Sequence, residues 1–423
     1  MSKSDIIADL VNQKFNRLPK KGKPIVRSNG LREWTTLAGI VIERSDLANA
    51  SEVPPLLVSK ASETNYYELE CIVLATGVKA TPDDKLKQAQ GLVLHDMHAE
   101  ILVIRALNRL LLEEVDRVKN EVEYCSDLIQ IRSSVNNQSP LGYMYEIRPG
   151  IKFHMYVSEI PCGDSSMEMT QLSGNNEEEW TDPIETLCSE GGEVLRGRAH
   201  FSSVGLVRTK PGRVDSQLTL SKSCSDKLSL KQFTSLLSGV TAFIISPCGF
   251  YLTSLVLPEL GFNEESCKRA FGSKGRLKDL SPKNKCMATH WDDDYQATFF
   301  QFESTVEKFV FARQPNSKTS NTSIVYIRDL GSEVILNGVK MGYKPFSGKG
   351  GSFICRSMMI QKLVHALQNP QNTSFPNMDL QSVLQYSDIK SRWLSRQMVK
   401  QDVYTVLKGW KRTSSDDFII DFI

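Results

Sequence analysis

Long apolar runs are missing from this 423-residue chain. The longest, Val240 to Leu260, carries Ser and Thr and is broken by Pro247, Cys248, Gly249 and Pro258, which argues against a membrane span of about 20 apolar residues. Met1 to Lys23 lacks the apolar core of a secretory signal. The nine cysteines are odd in number and unpatterned, so reduced thiols in the cytoplasm or nucleus are expected rather than a disulfide framework. Net charge is only +2, so any contact with nucleic acid must come from local patches. Repeats and low-complexity segments are absent. What is present, 40% hydrophobic and 24% charged residues, is ordinary globular composition with enough core for one compact enzyme domain.

The pattern of apolar residues predicts a mixed α/β sheet flanked by helices. Leu37 to Ile42, Leu69 to Ala75 and the alternating Phe153, Met155 and Val157 read as strands. Ile101, Ile104, Leu107, Leu111, Leu112 and Val115 recur at helical spacing, predicting a helix of about four or five turns that follows or includes His98. Pro161 can open a second helix with Cys162 at its start, where a thiolate is favoured. The expected organisation is a lead-in over 1–36 and one enzyme domain over 37–423, with a polar loop insertion at 174–193 and a helical C-terminal half.

His98-Ala99-Glu100 followed by Pro161-Cys162 is the most informative pattern in the chain. H-x-E with a downstream P-C is the signature of zinc-dependent nucleobase deaminases. A catalytic zinc takes three protein ligands from such residues and leaves one position for water, and a nearby carboxylate, here Glu100, can carry protons. The compact form would need cysteine at 165, where Ser165 stands. Cys224, in Ser223-Cys224-Ser225-Asp226-Lys227, and Cys248, after Pro247, both remain open as the third ligand on spacing alone.

The run Gly91 to Glu100, then Pro161-Cys162-Gly163-Asp164, then Ser223 to Lys227 resembles the deaminase domain of adenosine deaminases acting on RNA, and similarity extends from Leu37 to Trp410. The resemblance implies a cytidine-deaminase-like fold, a zinc ion on His98, Cys162 and Cys224, and Glu100 as proton shuttle. Cys248 is then expected to be a buried thiol. The separated cysteines argue against a free-nucleoside or cytidine deaminase, and the intact Glu100 against a non-catalytic RNA-binding relative.

Only about 36 residues precede the first predicted strand, so a separate duplex-RNA-binding module is not expected there. Val78 in Thr76-Gly77-Val78-Lys79, and Ser165-Ser166-Met167 without an arginine, depart from the messenger-editing enzymes. The chain is therefore more similar to the branch acting on tRNA, which deaminates the adenosine 3′ of the anticodon (position 37) in alanine tRNA; messenger or other structured RNA is the alternative. Val78 and Lys79 are the expected substrate contacts, and an unpaired loop base needs no flipping from a duplex. Arg196, Arg198, Arg208, Lys210 and Arg213, and the basic stretch Lys268 to Lys285, are further candidates for phosphate contact.

Tyr386, Lys390, Trp393, Lys400 and Tyr404 share a helical face with Ile389 and Leu407, and burying two lysines there would need an anion. The resemblance implies one: inositol hexakisphosphate in a basic cavity, held by Arg105, Lys227, Arg356, Tyr386, Lys390, Lys400, Trp410 and Lys411. Arg396 and Leu230 depart from the messenger-editing pattern, and Arg396 or Lys231 is expected to compensate. Asp96 and Lys227 would link the polyphosphate to the zinc ligands.

Overall fold

The structure, a computed structural model, describes residues 1–45, 58–61, 65–133, 143–173, 195–210, 212, 216–217, 219–281, 291–368, 385–391, 394–411 and 417–420. The expected insertion at 174–193 lies outside them, as do Arg213, Lys283, Lys285 and Trp393.

One nine-stranded mixed sheet organises the chain. Its strands are β1 (Leu37–Arg44), β2 (Val58–Ala61), β3 (Asn65–Thr76), β4 (Ile151–Val157), β5 (Leu252–Pro258), β6 (Gln301–Thr305), β7 (Thr322–Ile327), β8 (Gly331–Leu336) and β9 (Val339–Lys340). They lie in the order β6-β5-β4-β1-β3-β7-β8-β9, with β2 paired to β3. β4, β5 and β6 run parallel, and every other neighbouring pair is antiparallel. All three predicted strand runs lie in this sheet.

Strand periodicity divides β1 between two cores. Ala38, Ile40 and Ile42 join the core that holds helix α2 (Ala99–Asn120), whereas Leu37 and Val41 join the core under helix α1 (Lys3–Arg17). Both faces are thus covered, and all five side chains are fully buried. The N-terminal residues supply α1, which starts in a Ser2–Asp5 capping box and buries Ile7, Ala8, Val11 and Phe15. Gly39 lets α1 approach, because a Cβ there would lie 2.5 Å from Val11 Cγ1.

Helix α2 spans 22 residues, longer than the predicted four or five turns, because the partly buried stretch past Val115 continues beside helix α4 (Arg356–Gln368). Helix α3 (Cys224–Thr234) packs on α6 (Leu394–Val406), which α5 (Tyr386–Ser391) precedes in the chain. Among the described residues no helix is long and apolar enough to cross a membrane.

Candidate active site

Three chain segments converge where the sheet hands over to helices. Asp96–His98 pairs antiparallel with Val78–Ala80, and His98 is the N-cap of α2. Pro161-Cys162 follows the end of β4. No helix starts at Cys162, contrary to expectation: Gly163 intervenes at φ +104°, and a 3₁₀ turn begins at Asp164. A Cβ at Gly163 would lie 2.1 Å from Ser223 Oγ, so glycine is what lets this turn pack on the start of α3. Cys224, not Cys162, occupies a helix N-terminus, behind an N-cap Ser223 that accepts from Asp226 N–H.

His98 Nδ1 lies 3.7 Å from Cys162 Sγ and 3.5 Å from Cys224 Sγ, and one ligand atom from each residue falls within 4.8 Å of the others. A tetrahedral zinc with bonds of about 2.3 Å to sulfur and 2.0–2.1 Å to nitrogen separates such atoms by about 3.6 Å, so the donor set fits the metal. Cys248 is remote from this cluster and exposed, which corrects its expected burial: it follows Pro247 in a surface turn. Cys162 is drawn well below the usual thiol range by its hydrogen bond with Cys224, helped by His98 and Lys210.

Glu100, in the first turn of α2, is 3% exposed, and its Oε2 has no hydrogen-bond partner among the described residues. Burial raises its carboxyl above the ordinary range, as suits a group that must both take and release a proton.

Behind the cluster sits Asp96. Its Oδ1 accepts from His98 N–H at 3.0 Å, and it also accepts from Ser221 Oγ, Lys227 Nζ and Lys210 Nζ. Burial alone would raise this carboxyl, but Lys210, Lys227 and His98 hold it well below the usual range. Lys210 reaches Asp96 at 2.7 and 2.8 Å and Cys224 Sγ at 3.3 Å. From sequence Lys210 is a candidate phosphate contact, and nothing in its spacing marks it as a buried partner of the cluster. Arg208 likewise does not face solvent: it is fully buried and donates to the carbonyls of Gly197, Ala199, His200 and Ser203. Arg196 bonds Ser216 O, and Arg198 is exposed.

The basic stretch divides in the same way. Arg269 turns inward to Asp164 and Glu168, and Arg276 to Asp226, tying 269–276 to the residues two beyond each cysteine, while Lys274 and Lys278 are exposed.

A further set of cations donates to backbone carbonyls. Arg105 donates to Ile354 O, Lys231 to the carbonyls of Leu236 and Leu237, and Arg396 to those of Thr234 and Leu237. None of these three meets a carboxylate among the described residues. Burial lowers Arg105 to about 10, with Arg356 adding to the effect. Burial pushes Lys231 well below its usual value, and Arg396 and Lys400 push it further. Arg356 and Lys390 lie 5.4 and 4.2 Å from the Tyr386 ring centre, and Tyr386 stacks on Phe418. Trp410 stacks on Tyr404, 6.0 Å from Lys222 Nζ, which donates to Lys411 O. Val78 pairs in register with His98, and Lys79 donates to Thr319 Oγ1 at 2.8 Å.

Residues 73–413 match the family described as the adenosine-deaminase (editase) domain. This chain belongs to that family. It is 35% identical over 98% of its length to the tRNA-specific adenosine deaminase 1 of Schizosaccharomyces pombe, covering 96% of that protein. With the Saccharomyces cerevisiae protein of the same name it shares 29% identity over 97% of its length, covering 93% of that relative. Against the double-stranded RNA-specific editase Adar of Drosophila melanogaster it is 26% identical over 46% of its length, covering 28% of that protein. This chain has the α/β architecture of cytidine-deaminase-like enzymes and acts on adenosine.

Proposed function

We propose that this protein hydrolytically deaminates adenosine to inosine in tRNA, at the adenosine 3′ of the anticodon, with alanine tRNA as the expected substrate. The observation that carries the chemistry is the unpartnered Glu100 Oε2 beside the His98, Cys162 and Cys224 donors. The tRNA assignment is supported by relatives of that printed specificity aligned over nearly the whole of both chains. Zinc on the three donors would supply an acidified water as nucleophile at neutral pH.

The chain's own residues do the rest. Glu100 takes the proton of the attacking water and delivers it to the purine ring nitrogen beside C6. A second transfer through the same carboxyl protonates the departing amino group, so adenosine and water become inosine and ammonia. Burial of Glu100 keeps these protons from bulk water. Asp96 fixes the His98 backbone, and Val78 flanks His98 as part of the substrate wall, with Lys79 beside it.

We also assign the cation group to a buried inositol hexakisphosphate held by Arg105, Lys227, Lys231, Arg356, Tyr386, Lys390, Arg396 and Lys400, with Trp410 and Lys411 at the edge. Among the described residues Arg105, Lys231 and Arg396 meet no carboxylate, and a polyanion would convert the repulsion of Arg105 by Arg356, and of Lys231 by Arg396 and Lys400, into charge-assisted hydrogen bonds. The free cysteines among the described residues suit a cytoplasmic or nuclear enzyme. Incubation with total tRNA followed by sequencing tests the whole reading. Adenosine-to-guanosine reads confined to the nucleotide 3′ of the anticodon are expected; intact adenosine there with conversion in messenger RNA would overturn the substrate assignment.

A further inference from the structure

Between Arg17 and Arg32 the chain carries six cations and no acid: Arg17, Lys20, Lys21, Lys23, Arg27 and Arg32. The structure sorts them. Lys23 lies over the Phe15 ring and donates to Asn16 O, and Arg27 pairs with Glu33 at 2.9 Å. Arg17, Lys20, Lys21 and Arg32 are exposed, and none meets a carboxylate among the described residues. The Arg32 guanidinium donates to Gln314 Oε1 at 3.4 Å.

The segment is held, not trailing. Gly22 sits at φ +84°, where a Cβ would lie 2.6 Å from Val334 Cγ1, and its carbonyl accepts from Thr322 Oγ1 at 2.9 Å. Val26 bridges to Arg32, and Glu33–Trp34 pairs with Lys318–Thr319. Thr319 in turn accepts from Lys79, one residue beyond the Val78 paired with His98. The backbone that carries these cations is therefore joined through three contacts to the strand paired with His98. Cations carried on a held main chain bind a polyanionic backbone without the cost of ordering that main chain.

We propose that Arg17, Lys20, Lys21 and Arg32 form a docking surface for the sugar-phosphate backbone of tRNA outside the anticodon loop. This rests on the RNA reading above. A structured RNA emerging from the site could span this ridge, and the ridge supplies the local charge that the near-neutral whole lacks.

The test replaces all four residues by Gln in the full chain and measures tRNA binding across a salt series, together with steady-state deamination. Each lost phosphate contact flattens the slope of log K against log salt by about 0.7 to 0.9, so a change of up to about 3.6 is expected. KM should rise by at least about tenfold at low salt with kcat and melting temperature unchanged. An unchanged slope and KM in the variant, with the wild type active on tRNA, would overturn the surface and leave the functional reading standing. A loss seen only with anionic phospholipid vesicles would overturn it too. A wild type that deaminates no tRNA would overturn the functional reading first, and this surface with it.

Discussion

Lys210 Nζ lies 3.3 Å from Cys224 Sγ while donating to both carboxylate oxygens of Asp96. One buried ammonium thus serves a proposed metal ligand and the carboxylate that fixes the backbone of another, His98. Removing one member of a buried ion pair destabilises by roughly 3–5 kcal/mol. Lys210→Met should therefore lower the melting temperature and reduce bound zinc in metal analysis; wild-type values for both would show that Lys210 plays no part in the centre.

Glu100→Gln keeps shape but removes the proton carrier. It should retain zinc, because Glu100 is not assigned as a ligand, and lose deamination by at least about 100-fold. A variant purified without zinc would move Glu100 into the ligand set.

The two cysteines that follow from sequence as alternatives separate cleanly by environment. Cys224→Ala should lose zinc and activity, whereas Cys248→Ala, at an exposed turn, should keep zinc, activity and melting temperature. Metal analysis of the pair checks this, and zinc loss from the Cys248 variant alone would reverse the assignment.

Lys231→Met distinguishes a filled basic cavity from a bare one by sign. Without a polyanion, the change relieves repulsion from Arg396 and Lys400 and should raise the melting temperature. With inositol hexakisphosphate present it removes a partner of the anion, so the melting temperature should fall and phosphorus recovered after denaturation should decrease. A more stable variant, from wild-type protein that releases no phosphorus, would end the polyphosphate assignment.

Acid should loosen α1 from the sheet. The buried Glu43 accepts from His154, Lys3 and Lys152, and its carboxyl is held far below the ordinary range by the His154 hydrogen bond, against burial and with Lys3 and Lys152 assisting. In the unfolded chain it titrates near about 4.3. Below that pH the unfolded state takes up a proton that the folded state refuses, so this contribution is complete above about pH 5 and declines as pH falls. Thermal denaturation between about pH 3 and pH 6 should show a steeper acid loss for wild type than for Glu43→Gln. Parallel curves would remove Glu43 from the acid response.

Sequence determined the strand runs of β1, β3 and β4, the helix after His98 and the identity of the chemistry, because strand and helix periodicities and the residue types zinc requires are local properties. It also pointed to Cys224, through a motif whose five residues lie together in the chain. Tertiary structure alone decided which charges are internal. Arg208, Lys210, Arg269 and Arg276 look like surface cations in the sequence, yet each turns inward to carbonyls or carboxylates brought from other segments. Burial of Cys248 was expected and exposure found for the same reason: solvent access depends on what packs over a residue, and that is set by segments distant in the chain. Gly163 shows the limit most plainly. Its necessity comes from Ser223, sixty positions later, pressing against the place where a side chain would be.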